Sequence, residues 1–254
     1  MILGASSGFG EAAARAFAAA GWDIFGVHLD RRQGLEHVEE IRAAIAAAGR
    51  QAHFFNVNAA DPDKRREVVA AMQEFAGGSP VGVLMHSLAF GTLKPFIADD
   101  EKDAMTAAQM DMTLDVMAHS LVYWTQDVVR AGLLGEGGRI YAMTSAGDGI
   151  VWKSYGAVSA AKSALESHIR QLAFELAPRG ISALAIKAGV TDTPALRKIP
   201  GNDAIVDGAR ARNPAGRLTT PEDVARCLVD LARPGTAWMT GCVVNVDGGE
   251  NIAG

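Results

Sequence analysis

The chain has 254 residues, a net charge of −5 at pH 7 and a hydrophobic content of 49%. This length suits one α/β domain, and the scattered basic residues argue against binding to nucleic acid or to a membrane surface. No apolar run reaches the length of a membrane span. The two cysteines, Cys227 and Cys242, lack the spacing of a metal site and favour a reducing compartment, so we expect a cytoplasmic protein without a metal ion.

The N-terminal stretch is a short apolar strand followed by a glycine-rich turn. Residues 1–3 are the predicted strand, Gly4-Ala5-Ser6-Ser7-Gly8-Phe9-Gly10 is the turn, and residues 11–20 are a helix. Glycines let the backbone approach a pyrophosphate, and a helix N-terminus supplies free N–H groups. The order predicts a dinucleotide-binding unit, although ordinary loops also contain such turns. Because three residues are few for a central strand, we expect a first strand truncated at the N-terminus.

Charged residues follow the predicted second strand, residues 22–29. In dinucleotide-binding folds this position meets the adenosine ribose, where a carboxylate favours a free 2′-hydroxyl group and arginines favour a 2′-phosphate. His28 takes the place of an NAD-selective acid, and Asp30 comes two residues later. The pair Arg31 and Arg32 follows. It favours NADP(H) and leaves NAD(H) possible, and a solvated loop is the structural alternative.

Strands and helices alternate along the rest of the chain. Further helices are predicted for residues 34–48, 62–75, 103–132, 156–176 and 221–232, and further strands for residues 51–57, 81–85, 139–144, 181–187 and 242–246. Asp61 and Thr220 are expected to cap the helices that follow them. We therefore expect one single-domain α/β Rossmann fold over residues 1–254: a doubly wound parallel sheet of about seven strands, with helices on both faces and ligands at the carboxyl ends of the strands.

Two stretches beside these strand ends are candidates for function. Residues 194–218 are long, charged and interrupted by proline and glycine, which is more typical of a lid over a site than of a plain connection. His86 follows the fourth strand. A histidine there more often makes structural hydrogen bonds, so catalysis is the less favoured interpretation of His86.

The most informative stretch joins the fifth strand to the helix at residues 156–176. Tyr155 and Lys162 bracket the first two turns of this helix, so their side chains leave one face roughly 10 Å apart along the axis. Ser145 lies just past the strand. A phenol, an ammonium group and a hydroxyl group on one wall can act as a proton-donating assembly. The structural alternative is a half-buried aromatic residue beside a solvated lysine.

Taken together, these motifs resemble those of the short-chain dehydrogenase/reductase superfamily. The resemblance spans the whole chain and is carried, in order, by the glycine turn 4–10, Ser145, Lys162, Ala188-Gly189 and Asp247-Gly248-Gly249. The usual catalytic pair of the superfamily is Tyr-x3-Lys. Here Val158 stands at that tyrosine position, and Tyr155 gives the Tyr-x6-Lys spacing of the bacterial enoyl-acyl-carrier-protein reductases.

Other stretches are similar to that branch or depart from it. Residues 86–90 resemble its loop after the fourth strand, and residues 191–196 with 213–217 resemble the lid of its divergent NADPH-using members. Ser145 replaces a second tyrosine of the best-known members, although the divergent members keep serine. Ser7 replaces a basic residue of the NADPH-using members, and Met117 replaces the helix asparagine of ordinary ketone reductases.

The resemblance also implies roles for individual residues. Tyr155, with Ser145 beside it, would donate to the substrate oxygen, and Lys162 would hold the nicotinamide ribose. The implied cofactor contacts are Gly4, Ser6, Ser7, Gly8, Phe9 and Gly10 around the pyrophosphate; His28, Arg31 and Arg32 at the adenosine ribose; Asn58 and Ala59 at the adenine; Ser87, Leu88 and Ala89 at the adjoining ribose; and Ala188, Gly189, Thr191 and Thr193 near the carboxamide.

The implied activity is hydride transfer from NAD(P)H to a trans-2-enoyl thioester of acyl carrier protein or coenzyme A, in fatty acid biosynthesis. Enoyl reduction places the hydride on Cβ while charge collects on the more distant thioester oxygen. A tyrosine one helical turn earlier supplies the shift in the proton donor that this requires. A carbonyl reductase or alcohol dehydrogenase, and a nucleotide-sensing protein without turnover, are the alternatives. Superfamily members pair helices 103–132 and 156–176 between subunits, which implies a homotetramer.

Overall fold

Seven parallel strands form one sheet in the computed structural model, which describes residues 1–148 and 151–253. The strands are β1 (Ile2–Leu3), β2 (Ile24–His28), β3 (Ala52–Asn56), β4 (Val83–His86), β5 (Arg139–Thr144), β6 (Ser182–Ala188) and β7 (Val243–Val246). Their order is β3-β2-β1-β4-β5-β6-β7, with parallel pairing throughout. Strands β2 and β3 are added on one side of β1, and strands β4 to β7 are added on the other side. Between β1 and β4, where this order reverses, such sheets open a crevice for ligands. The predicted fold class is confirmed; residues 149, 150 and 254 of the predicted domain lie outside the described residues.

Helices cover both faces of this sheet. They are α1 (Gly8–Ala19), α2 (Leu35–Ala47), α3 (Pro62–Ala76), α4 (Ala107–Leu114), α5 (Ser120–Arg130), α6 (Gly156–Leu176), α7 (Asn202–Arg212) and α8 (Pro221–Leu231). Successive strand residues point to opposite faces, so Leu3 joins a core with α3, α5 and α6, while Ile2 joins a core with α1, α2 and α8. None of the described helices has both the length and the apolar character that a membrane crossing requires.

Two helix starts match the predicted caps. The Asp61 carboxylate accepts hydrogen bonds from the backbone N–H groups of Asp63 and Lys64, and α3 begins with a proline. The Thr220 hydroxyl accepts from the N–H of Asp223, whose own carboxylate accepts from the Thr220 N–H. Each side chain satisfies N–H groups that a helix leaves free in its first turn.

The helix predicted over residues 103–132 is confirmed for most of its length, but it begins later and contains a π-helical turn. A 3₁₀ turn ends at Asp103, and α4 starts only after Thr106, which forms a capping box with Gln109. A π-helical turn, Asp115–His119, then separates α4 from α5. The apolar pattern continues across all three pieces, so it could not reveal the cap or the extra residue that a π-helical turn inserts.

The predicted lid, residues 194–218, contains a helix that its composition did not indicate. A 3₁₀ turn covers Leu196–Lys198, and α7 follows from Asn202 to Arg212. Proline and glycine lie outside α7 except for Gly208, which costs only about 1 kcal/mol in a helix interior. The segment is therefore a short helix held between two turns.

β1 is short, although it lies in the middle of the sheet. The Met1 amino group is buried and donates a hydrogen bond to the Val83 carbonyl oxygen at 2.7 Å. Burial lowers the pKa of this amine to about 5. The truncation of the first strand remains a prediction.

Candidate active site

A pocket of about 680 Å³ opens at the carboxyl ends of β4, β5 and β6, beside the first turn of α1. Many of the predicted site residues line it: Ser7, Gly8, Phe9, Ser87, Leu88, Ala89, Ser145, Tyr155, Lys162, Ala188, Gly189, Thr191 and Thr193. They come from separate parts of the sequence and meet because parallel strands end at the same edge of the sheet. The structure thus brings the predicted catalytic residues to the nicotinamide end of the predicted cofactor site.

The glycine turn before α1 packs too tightly for side chains. Gly4 has φ +86°, and a Cβ atom there would lie 2.5 Å from the Ser87 carbonyl oxygen. A Cβ atom on Gly10 would lie 1.9 Å from the Gly4 carbonyl oxygen. The first turn of α1 leaves N–H groups without helical acceptors and presents the positive end of the helix dipole. These residues therefore fit the pyrophosphate of a nicotinamide dinucleotide.

The other predicted cofactor residues lie outside this pocket. They are Gly4, Ser6, Gly10, His28, Arg31, Arg32, Asn58 and Ala59. Most of them follow β1, β2 and β3, which continue the same sheet edge on the far side of β4. Such a row of strand ends suits an elongated dinucleotide whose adenosine half lies over β2 and β3.

At the end of β2 the structure pairs His28 and Asp30, which the sequence alone did not connect. The Nδ1 atom of buried His28 lies 2.8 Å from a carboxylate oxygen of Asp30. Asp30 also exchanges two backbone hydrogen bonds with the Asn56 side chain, both at 3.0 Å. Arg31 and Arg32 are exposed beside them. The i, i+2 spacing at a strand end, which places side chains on one side, is the signal that could have revealed this pair.

The hydroxyl groups of Tyr155 and Ser145 face each other in the wall of the pocket. The two hydroxyl oxygens are 3.4 Å apart, and the Ser145 Oγ atom also accepts from the Gly147 N–H at 3.3 Å. A Cβ atom on Gly147 would lie 2.4 Å from the Tyr155 ring, so only glycine allows this approach. Burial raises the pKa of Tyr155, against a smaller lowering by Ser145. The phenol therefore keeps its proton near neutral pH and can donate it.

Lys162 is buried, so the alternative of a solvated lysine does not describe it. Its Nζ atom donates to the Met143 carbonyl oxygen at 2.8 Å and lies 3.5 Å from the Leu88 carbonyl oxygen. Burial lowers the pKa of this ammonium group to about 8. The side chain is thus fixed between the ends of β4 and β5, with most of its charge retained at pH 7.

The position of the ketone reducers' tyrosine is apolar here. Val158 is buried in the pocket wall, one turn after Tyr155 on α6. Met117 is buried in the same wall, and a Cβ atom on Gly91 would contact both side chains at 2.8–3.0 Å. Of the residues at 155 and 158, only Tyr155 can therefore present a hydroxyl group to the pocket.

His86 is fully buried beneath this wall. Ser120 donates its hydroxyl proton to the Val116 carbonyl oxygen at 2.8 Å, so it accepts from the Nε2–H group of His86 at 2.9 Å. Burial, with the nearby Lys162 charge, lowers the pKa of His86 to about 3. This is the geometry of a neutral structural histidine.

Three charged residues of the pocket were not predicted as site residues from the sequence: Lys198, Arg212 and Glu250. Glu250 is buried and comes directly after Asp247-Gly248-Gly249. An acidic residue adjoining a motif at the end of the last strand was the available signal. Arg212 ends α7, so its place could not be seen without the helix.

The family model described as "Enoyl-(Acyl carrier protein) reductase" matches residues 4–251. The NADH-dependent enoyl-[acyl-carrier-protein] reductase of Aquifex aeolicus is 30% identical over 68% of this chain and 63% of its own length. The 3-oxoacyl-[acyl-carrier-protein] reductase of Aggregatibacter actinomycetemcomitans is 28% identical over 98% of this chain and 97% of its own. Relatives of similar identity therefore carry different activities.

Among solved structures, a short-chain dehydrogenase from Burkholderia cenocepacia in complex with NADP superimposes with a TM-score of 0.82. It is 29% identical in sequence, and the superposition covers 98% of this chain and 96% of that one. The shared architecture thus extends over nearly the whole chain.

Proposed function

Because this chain belongs to the family described as "Enoyl-(Acyl carrier protein) reductase", within the short-chain dehydrogenase/reductase superfamily, we propose that it reduces trans-2-enoyl thioesters with NAD(P)H. Membership of the family is enough to show that the protein is an NAD(P)-dependent oxidoreductase. The enoyl specificity in this proposal rests on the residues that α6 contributes to the pocket wall. Tyr155 presents the phenol one turn before buried Val158, on the same face as Lys162.

In this proposal the chain's residues bind the thioester oxygen and hold a proton near it. When bound, the reduced nicotinamide would supply the hydride that adds to Cβ. The Tyr155 hydroxyl group, with Ser145 beside it, would stabilise the negative charge that develops on the thioester oxygen. Lys162 would hold the ribose of the cofactor. A proton from water reaches Cα, so the double bond gains one hydride and one proton while the cofactor is oxidised.

A second candidate is a 3-oxoacyl thioester or other carbonyl reductase. The Aggregatibacter relative, which aligns over nearly its full length, favours it. In such a reaction the hydride adds to the carbon that carries the protonated oxygen, so the proton donor must lie closer to the hydride donor. The apolar Val158 at the nearer position weighs against it.

The decisive experiment compares a crotonyl thioester with an acetoacetyl thioester on the same carrier. Oxidation of NADPH and of NADH is followed by absorbance, with coenzyme A and with acyl carrier protein. We expect faster reduction of the crotonyl thioester. Faster reduction of the acetoacetyl thioester would overturn the enoyl assignment and leave the family and the fold unaffected.

A substitution in the wall sharpens this comparison. Val158→Tyr places a phenol at the nearer position, so weak acetoacetyl reduction should appear. Val158→Phe is the matched control, because it adds the same ring without the hydroxyl group. If both variants gain the activity equally, the position of the hydroxyl group does not set the specificity.

For the cofactor we propose NADP(H) over NAD(H). The exposed pair Arg31 and Arg32 supports this choice, and so does the contact that keeps the Asp30 carboxylate against His28. The NADP complex of the Burkholderia structure agrees with it. Replacing both arginines by alanine should raise the KM for NADPH and leave that for NADH unchanged. An unchanged KM for NADPH would mean that these arginines do not bind the 2′-phosphate.

We further propose a cytoplasmic homotetramer that acts in fatty acid biosynthesis. Phe174 on α6 is an exposed aromatic residue that one subunit leaves uncovered. Both cysteines are unpaired, which suits a reducing compartment. Light scattering at micromolar concentration tests the assembly, and a monomer mass would contradict it.

A further inference from the structure

A buried carboxylate lies on the turn that follows β7. The Asp247 side chain accepts hydrogen bonds from the N–H groups of Gly249 at 2.9 Å and Asn251 at 3.1 Å. Gly248 and Gly249 have φ values of +62° and +89°, which glycine adopts without strain. This turn places the Glu250 side chain against the pocket, where the residue is only 6% exposed.

One oxygen of Glu250 holds the backbone after β6. Its Oε2 atom accepts a hydrogen bond from the Val190 N–H at 3.0 Å. A Cβ atom on Gly189 would lie 2.8 Å from this oxygen, so the glycine permits the approach. The segment that starts here, residues 190–193, contains the two threonines at which the resemblance places the nicotinamide carboxamide. Glu250 therefore fixes the start of that segment.

The other oxygen of Glu250 faces the lid, residues 194–218. The Arg212 guanidinium group, at the last residue of α7, lies 3.8 Å from Oε1. Next to it, buried Asn213 donates to the Asp247 carbonyl oxygen at 2.9 Å. Burial raises the pKa of Glu250, and the hydrogen bond from the Val190 N–H group and the Arg212 charge oppose that rise. The end of α7 is thus attached to the same turn that holds the carboxamide segment.

We propose that Glu250 is a positioning residue that couples cofactor binding to the order of the lid. Its carboxylate joins Val190 to Arg212, so a ligand that orders residues 190–193 also favours the lid position in which Arg212 reaches Glu250. Such a coupling is reciprocal, because an ordered lid must then favour cofactor binding by the same factor. The proposal rests on the cofactor site of the proposed function and is independent of its enoyl specificity.

Hydrogen exchange of α7, measured with and without a saturating nicotinamide cofactor, tests the coupling. In the wild-type protein we expect cofactor to slow exchange over residues 202–212 by about fivefold, at the lower end of typical coupling between sites. Arg212→Gln and Glu250→Gln should each lose this slowing and raise the cofactor dissociation constant by a similar factor. Glu250→Gln keeps an acceptor for the Val190 N–H group, so it removes the charge without breaking the turn. The double variant should be no worse than either single one.

Arg210→Gln is the matched control. Arg210 lies on the same helix, but its partner is Asp207 of α7 itself, at 3.7 Å. This variant should keep the wild-type response to cofactor. The proposal is overturned if Arg210→Gln loses as much of the response as Arg212→Gln, or if Glu250→Gln and Arg212→Gln both respond as the wild type does.

Glu250→Ala separates the two contacts. It removes the acceptor for Val190 as well as the charge, so cofactor binding should weaken further than in Glu250→Gln. Equal binding by the two variants would contradict the positioning of residues 190–193. Because every readout uses cofactor alone, a failure here is distinct from a failure of the crotonyl thioester test.

Discussion

The two sides of the pocket are held in different ways. On the fixed side, formed by the glycine turn, β5 and α6, the 21-residue helix α6 buries a full face, including Val158, Lys162 and Glu166. On the lid, α7 buries only Ala209, and its polar residues form charge pairs near the surface. The groups expected to do chemistry thus lie where backbone and packing fix them, and the entrance is made of contacts that break easily.

This difference has a thermodynamic basis. Local opening costs least where few apolar groups are buried, and exposed ion pairs contribute only about 0–1 kcal/mol each. We therefore expect the lid to open without disturbing the wall. Substitutions on the fixed side should change catalysis or global stability, and comparable substitutions in the lid should leave global stability nearly unchanged and act through the order of the lid.

The largest effect is expected at the centre of the fixed side. Tyr155→Phe removes the donor to the developing oxyanion, which should lower kcat by about 10²–10³. Cofactor binding should persist, because the ring still fills its place against Gly147. Steady-state kinetics with crotonyl thioester and cofactor titration by fluorescence measure the two quantities. A kcat within a few-fold of the wild type would show that another group stabilises the developing oxyanion.

A glycine-to-alanine substitution on each side tests this difference in packing most directly. Gly10→Ala places a methyl group against the Gly4 carbonyl oxygen and should lower the free energy of unfolding by about 3 kcal/mol. Gly216→Ala, in the lid, meets no atom within 4 Å and carries only the strain of φ +65°, about 1 kcal/mol. Urea denaturation of both variants measures the two values. Equal losses would mean that the lid is packed as firmly as the glycine turn.

The buried Lys162 should make the fixed side respond to pH. Its pKa in the folded protein is about 8, below the ordinary 10.5, because burial disfavours the charged form. Above pH 8 the ammonium group loses its proton, so kcat/KM should fall about tenfold per pH unit if the charge is needed.

Stability should move in the opposite direction. Between pH 8 and 10.5 the unfolded chain holds a proton that the folded chain has released, so the free energy of unfolding should rise with pH by about 1.4 kcal/mol per unit from this group. Lys162→Met is the control, since it should remove that contribution to the slope. A wild-type slope equal to that of Lys162→Met would contradict the lowered pKa.

The smallest effect is expected for a buried hydroxyl group on the fixed side. The hydroxyl group of Tyr141 on β5 is buried and has no hydrogen-bond partner among the described residues. Tyr141→Phe should therefore leave the protein equally stable or more stable, by up to about 1 kcal/mol. Trp124→Phe is the contrast, because it takes away the donor to the Ala59 carbonyl oxygen and some buried volume. Thermal unfolding of both variants shows whether a buried hydroxyl group without a partner contributes less to stability than a buried group that has one.

Much of the fold could be predicted from the sequence, because it follows from local rules. Alternating apolar strands and amphipathic helices predict a parallel sheet, since parallel strands need a crossover between them. Asp61 and Thr220 predict helix starts, because their side chains satisfy N–H groups a few residues away. The seven-residue interval from Tyr155 to Lys162 predicts one shared helix face. The caps and the Tyr155–Lys162 interval act within about two helical turns.

What only the tertiary structure decided depends on groups that are far apart in sequence. The burial of Lys162, which shifts its pKa, comes from the ends of β4 and β5. Glu250 reaches Val190 across 60 residues and Arg212 across 38, through strands that end at one edge of the sheet. Local sequence predicts most of the elements, but pKa values and contacts depend on which strand ends the sheet places side by side.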